Sequence, residues 1–213
     1  MTATLGQTKW RAIDNRLRRV DEDRWISSRF ANAPARKALV ALYGLSYELA
    51  RVRLVVSEQG LGAIRFQWWR DALEEIENEQ PSREHDVCLA LAEMVECKAL
   101  HISALQKLVD GYQSAYEAHD RGLEPEGWLA AIAASVMAPA HGWGEQMRKV
   151  APYYAAVRRA ESQEFGPHVE AAPKDIRPAI AHFRLRKLYV DGKSPNPLTK
   201  RFSIMKAIST GKV

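Results

Sequence analysis

The sequence lacks several features by which common functional classes are recognised. Its 213 residues contain no apolar run near the roughly 18–20 residues that a membrane-spanning helix needs, so we expect a soluble protein. No glycine-rich phosphate loop follows a predicted strand, and no serine stands in a Gly-x-Ser-x-Gly context. The histidines have neither the paired spacing nor the companion cysteines of zinc sites. These absences argue against a nucleotide-binding loop, a serine hydrolase and a metal site built on histidine.

Cysteine is also scarce. The two cysteines, Cys88 and Cys97, are nine residues apart on one predicted helix. This separation along a helix axis is too large for a disulfide. We expect both to be small buried residues in a reducing compartment.

Charge is unevenly distributed, although the net charge is only +5. The stretch from Glu74 to Glu96 is acidic, and the segment from Lys174 onwards is basic. A basic end of this kind favours contact with an anionic membrane surface or an acidic protein, and a solvated end is the plainer alternative. We do not expect nucleic-acid binding, because the aromatic residues of this segment form no stacking platform. The candidate contact residues are Arg184, Arg186, Lys187, Lys200 and Arg201.

Apolar residues recur at three- and four-residue steps along most of the chain, and no strand pattern competes with them. This periodicity predicts an all-α protein. We expect a division into a helical domain, residues 1–165, and a basic, proline-interrupted extension, residues 166–213. The predicted helices cover about 34–56, 61 to the stop at Pro81, 84–98, 101–120, 126–138, 144–162, 175–190 and 198–209.

One segment carries a family resemblance. Its parts are LSYELARV at residues 45–52, VSE at 56–58, LG at 61–62 and IRFQWWRDAL at 64–73. Together they resemble the first two core helices of the squalene/phytoene synthase family. The resemblance is strongest over residues 21–77 and weaker over 105–159. It implies an isoprenoid-synthase-like helical bundle, in full or reduced form. Within the family, the sequence looks most similar to the branch of assembly factors for respiratory complex I and their alphaproteobacterial relatives.

The acids that this family's chemistry requires are sparse here. Coupling of two prenyl diphosphates uses two Asp-rich helical motifs that hold Mg²⁺ against the departing pyrophosphate. The place of the first motif, residues 47–57, contains Glu48 as its single acid, and residues 144–159 contain only Glu145. Cations at Arg148, Lys149, Arg158 and Arg159 would repel Mg²⁺. We therefore expect no metal and no catalytic residue. Glu48 is predicted to pair with Arg51 or Arg65.

The resemblance leaves several functional hypotheses open. It favours an assembly or scaffolding factor for respiratory NADH dehydrogenase that binds a protein partner. The expected location is the bacterial cytoplasm or the mitochondrial matrix, at or near the inner membrane. The alternatives are a prenyltransferase that uses Mg²⁺ and a non-catalytic isoprenoid binder. Candidate pocket residues for such a ligand are Glu48, Arg51, Arg65, Trp68, Trp69 and Arg70. The tryptophans could instead be core residues.

Overall fold

The structure is a computed structural model that describes residues 6–56, 58–80, 83–190 and 194–213, apart from the side chain of Gln59. These residues form helices and contain no strand, so the all-α prediction is confirmed. The α-helices are α1 (Gln7–Val20), α2 (Glu22–Ser28), α3 (Ala33–Ala50), α4 (Val52–Val55), α5 (Gln59–Glu77), α6 (Asp86–Glu96), α7 (Ile102–Glu117), α8 (Glu126–Met137), α9 (Gly144–Arg158), α10 (Arg177–Ile180), α11 (Arg186–Tyr189) and α12 (Pro197–Thr210).

Most of the predicted helices are present with shifted ends. The helix expected over 175–190 is instead a series of short pieces, in which α10 and α11 alternate with 3-10 turns. Pro178 stands in the first turn of α10, where its missing N–H is tolerated, so the chain turns repeatedly here. Pro81, expected to stop α5, and Ser57, at the end of the first metal-motif window, lie outside the described residues.

The chain packs into two compact units. Unit 1 combines the described residues up to Val20 with Lys37–Pro125, and unit 2 combines Asp21–Arg36 with Glu126–Val213. The chain therefore enters unit 2 briefly through α2 before it completes unit 1. The predicted division at residue 165 stays a prediction, because compact packing does not by itself test which parts are separate domains.

Unit 1 is held by the apolar faces of its helices. In α1, Trp10, Ile13 and Leu17 are buried at three- and four-residue spacing. Helix α1 packs on α6, and α5 packs on both α6 and α7. Cys88 on α6 is buried as expected, but Cys97 is exposed, because it follows the last residue of α6 at the helix end.

Gly62, within the family-like segment, allows a close approach between α5 and α7. A Cβ atom added at Gly62 would lie 2.4 Å from ring atoms of Tyr116. The Tyr116 hydroxyl donates a hydrogen bond to the Glu58 carbonyl at 3.2 Å, which fixes the ring against this turn of α5. The glycine is therefore required by packing.

We expect Gly62→Ala to lower the free energy of unfolding by about 1–3 kcal/mol, because Tyr116 or the helix must move to admit the methyl group. Urea unfolding measures this loss. The matched control is Gly60→Ala, two residues earlier in α5, where an added Cβ would meet nothing within 4 Å. That change should be neutral or stabilising by up to about 1 kcal/mol. Equal effects of the two substitutions would contradict the packing role.

Unit 2 is built on α8 and α9, which pack closely together. Helices α2, α10 and α12 complete it, with α2 contacting both α10 and α12. The inner face of α12 buries Ile204 and Ala207, and the helix ends at Gly211 in a left-handed conformation. Within the described part of the chain, no helix is long and apolar enough to cross a membrane.

Candidate functional site

Glu48 lies near the end of α3 and is held by two arginines. Its carboxylate is 3.1 Å from Arg16 Nη1 and 3.3 Å from Arg51 Nη1. Arg16 also pairs with Asp86 at the start of α6. The carboxyl side chain is only 10% exposed. The predicted pairing of Glu48 with Arg51 is therefore present, and Arg16 is a second partner that sequence reasoning missed.

This arrangement has a chemical consequence. A carboxylate that already faces two guanidinium groups offers a divalent cation little net attraction. The cavity beside Arg16, which Tyr47 also lines, has a volume of about 10 Å³, room for no more than one water. Among the described residues, no three His, Cys, Asp or Glu side chains are arranged so that they could hold a metal ion.

The two tryptophans of the family-like segment contact each other and a histidine. The Trp68 and Trp69 rings meet edge to face with centroids 5.0 Å apart, and both contact the His85 ring, at 5.8 and 5.3 Å. Trp69 is buried, whereas Trp68 is half-buried and lies under the Arg83 guanidinium. Burial lowers the pKa of His85. These contacts have the geometry of a packed aromatic seam.

The other two pocket candidates on α5, Arg65 and Arg70, have different surroundings. Arg70 donates two hydrogen bonds to Asp110 Oδ1 on α7, at 3.0 and 2.6 Å. Arg65 is exposed. The structure therefore brings Glu48 and Arg51 together, and Trp68 and Trp69 together, while Arg70 is engaged with α7. Their assignment to a ligand pocket stays a prediction.

The five basic residues predicted to contact a membrane or partner have very different surroundings. Arg186 is fully buried and donates hydrogen bonds to the Phe165 and Pro167 carbonyls, at 2.6 and 3.2 Å. Burial lowers its pKa to about 10. Lys200 is also buried, whereas Lys187 and Arg201 are exposed and Arg184 donates to the Lys212 carbonyl. Arg186 and Lys200 therefore serve internal packing in this structure.

Lys200 belongs to a buried ionic cluster in unit 2, which we call the Asp23 cluster. Asp23 is 1% exposed and accepts hydrogen bonds from the Tyr154 and Tyr189 hydroxyls, at 3.0 and 2.6 Å. Lys200 Nζ lies 3.0 Å from its other oxygen, an ion pair without hydrogen-bond geometry. The members of the cluster are Asp21, Asp23, Arg24, Glu126, Tyr154, Arg158, Tyr189 and Lys200.

Opposite charges balance within this cluster. Asp21 pairs with Arg24 at 2.8 Å and with Arg158 at 3.0 Å, and Arg24 also pairs with Glu126. Burial alone would raise the pKa of Asp21, but the two guanidiniums outweigh burial and hold that pKa well below its ordinary value. Burial would likewise lower the pKa of Lys200, but Asp23 raises it above the ordinary value. The cluster thus joins α2, α8, α9 and α12 through ion pairs, and α11 through the hydrogen bond from Tyr189.

A second feature of unit 2 is an apolar groove between α2 and α12. Its volume is about 430 Å³. We call it the α2/α12 groove, and it is lined by Trp25, Ile26, Arg29, Phe30, Leu198, Arg201, Phe202 and Met205. Four of its apolar residues are substantially exposed: Phe30, Leu198, Phe202 and Met205. A groove lined by exposed apolar side chains is a candidate binding surface.

Sequence reasoning missed both features of unit 2. The Asp-Glu-Asp-Arg run of residues 21–24 is a visible charged signal, but its partners lie more than a hundred residues away in the sequence. The spacing of Leu198, Phe202 and Met205 at four and three residues was a signal for an apolar face on the last helix. It did not reveal that this face is the outer one.

Comparison with known proteins places the chain in a family. The sequence model of the squalene/phytoene synthase family matches residues 17–124, just over half of the chain. The chain belongs to this family, and its all-α fold is of the isoprenoid-synthase kind. The match covers the predicted segment and stops within the region of weaker resemblance.

One curated relative is human. It is named NADH dehydrogenase (ubiquinone) complex I, assembly factor 6, and is 32% identical over 94 residues. The aligned part is 44% of this chain and 28% of that protein, so the chain spans less than a third of the relative's length. No solved structure gives a significant match.

Proposed function

We propose that this chain is a non-catalytic member of the squalene/phytoene synthase family that acts, through a protein partner, in the assembly of a respiratory NADH dehydrogenase. The name of the human relative supports the proposed role in assembly. The observation that carries the non-catalytic part is the neutralisation of Glu48, the single acid at the place of the first metal motif, by Arg16 and Arg51. An Mg²⁺ site at this position would first have to displace two cations.

A structural role and a functional role of Glu48 predict different effects of its substitution. Glu48→Gln removes the charge but keeps the shape of the side chain, and we expect it to cost about 1 kcal/mol of stability, because both arginines remain partly solvated. In cells that lack the native chain, Glu48→Gln should restore assembled NADH dehydrogenase as fully as the native sequence does. Native-gel activity staining of membranes measures this recovery. A folded variant that fails to restore the complex would contradict a purely structural role for Glu48.

Calorimetric titration with a farnesyl diphosphate analogue, with and without Mg²⁺, tests the enzyme alternative. We expect no metal-dependent binding and no release of pyrophosphate from farnesyl diphosphate. Binding that requires Mg²⁺ and is lost in Glu48→Gln would overturn the proposal in favour of prenyl transfer. Binding without Mg²⁺ that is weakened by Trp69→Ala would favour an isoprenoid carrier.

A further inference from the structure

The outer face of α12 carries apolar residues that do not pack against the core of unit 2. Leu198, Phe202 and Met205 follow one another at four and three residues, so they form one stripe on the helix surface. They are 63%, 65% and 47% exposed. The inner face of the same helix, with Ile204 and Ala207, already forms the contact with the core. The outer stripe therefore contributes little to folding and is available to a partner.

Both walls of the α2/α12 groove are fixed in place. Lys200 ties α12 to α2 through Glu22 and Asp23, at 3.2 and 3.0 Å. At the start of α2, the Asp21 side chain accepts a hydrogen bond from the Arg24 N–H. A groove whose walls are held by the buried Lys200–Asp23 ion pair is formed before the partner arrives, so binding needs little ordering of the protein.

The shape of the groove fits one helix. Two helices with an apolar trough between them offer the surface that an amphipathic helix fills with residues at i, i+4 and i+7. Phe30 on one side and Phe202 on the other supply aromatic anchors, and Met205 supplies an adaptable contact.

The positive charges beside the groove favour a partner helix that carries acidic residues. Arg29 and Arg201 line the groove, and Lys206, next to Met205, is exposed. A second copy of this chain that docked by the same face would bring its own Arg201 and Lys206 against these cations, which disfavours self-association. A helix with Asp or Glu beside its apolar stripe would place opposite charges at the two arginines.

We propose that the α2/α12 groove binds an amphipathic helix of a partner protein, with its apolar face against Phe30, Leu198, Phe202 and Met205 and its acidic residues facing Arg29 and Arg201. This inference rests on the proposed function only in that the partner is a protein. It does not depend on which complex is assembled.

Site-specific photocrosslinking in cells tests the proposal. The photoreactive amino acid p-benzoylphenylalanine replaces Phe202, whose exposed ring can be exchanged without disturbing the core. After irradiation, the crosslinked peptide is identified by mass spectrometry. The control places the same residue at Lys149, an exposed position on α9 of the same unit. We expect a crosslink from position 202, absent from position 149, to a segment with apolar residues at helical spacing and adjacent acids.

Substitution of Arg201 tests whether the partner helix must carry acidic residues. Arg201→Glu should lower the yield of that crosslink at least tenfold, whereas Lys149→Glu should leave it unchanged. Crosslinks to lipid, to a second copy, or to a segment without acids would overturn the proposal, and so would equal yields at positions 202 and 149.

The outcomes separate this inference from the proposed function. If cells without the chain assemble NADH dehydrogenase normally, the proposed function fails, and a crosslink to an acidic helix still supports the groove. If assembly depends on the chain but the acidic-helix crosslink is missing, the groove proposal fails alone.

Discussion

Asp23→Ala is expected to lower the free energy of unfolding by about 3–5 kcal/mol, because it removes one of the three carboxylates that balance the buried cations of the Asp23 cluster. The reason is that Lys200 and Arg158 would each lose one of their two carboxylate partners, which leaves this buried cluster with an excess of positive charge. The Tyr154 and Tyr189 hydroxyls would lose their shared acceptor as well. Urea unfolding followed by far-ultraviolet circular dichroism measures the loss.

The control for this prediction is Asp175→Ala, which removes an exposed carboxylate from the same unit. We expect its effect to stay within about 0.5 kcal/mol. If Asp23→Ala costs less than about 1 kcal/mol, the Asp23 cluster does not hold the helices of unit 2 together as described.

The second large effect is a dependence of stability on pH that His182 produces. This ring is 1% exposed, packs against Tyr154 and Phe183, and has no hydrogen-bond partner for either nitrogen among the described residues. Full burial, and then the nearby charge of Arg24, lower its pKa well below the ordinary value. The folded protein therefore keeps this imidazole neutral at pH values where the unfolded chain protonates it.

The direction of the pH effect follows from proton uptake. Below about pH 6.5 the unfolded chain binds a proton on this imidazole and the folded chain does not, so protons favour unfolding. Stability should fall as the pH drops from 6.5 towards 5, and the contribution of His182 to the slope should approach about 1.4 kcal/mol per pH unit. His182→Phe, which has no titrating nitrogen, should remove most of this slope. Urea unfolding at several pH values between 5 and 7.5 measures it.

Two other histidines contribute in the same direction, because burial also lowers the pKa values of His85 and His141. A residual slope in His182→Phe is therefore expected. The matched control is His168→Phe, since His168 is an exposed histidine of the same unit. A slope that is equal in the two variants would show that His182 is not the source.

The candidate site was only partly predictable from sequence. The family-like segment identified the helices that matter in unit 1, and the shortage of acids drew attention to Glu48. The pairing of Glu48 with Arg51 could be predicted because the two are three residues apart on one helical stretch. The pairing with Arg16 could not, because Arg16 belongs to another helix and comes near only when α1 folds onto unit 1.

The surroundings of the basic residues after Lys174 were also only partly predictable from the sequence. Composition correctly indicated a cationic segment, but it treated every cation there as a surface charge. Arg186 and Lys200 are buried, because carbonyl groups and Asp23 accept their charges in the interior. A long basic side chain can be buried only where an acceptor or an acid lies next to it in the interior. The neighbouring residues in the sequence do not show whether such a group is present.

The sequence by itself determined the all-α class, the membership in the squalene/phytoene synthase family and the scarcity of acids at the metal-motif positions, because helical periodicity and local motifs are properties of neighbouring residues. Only the tertiary structure decided that Asp23 meets Tyr154, Tyr189 and Lys200, and that one apolar face of α12 points outwards. Those outcomes depend on which helices pack together. Packing joins residues that are far apart in the chain, and their spacing in the sequence carries no record of it.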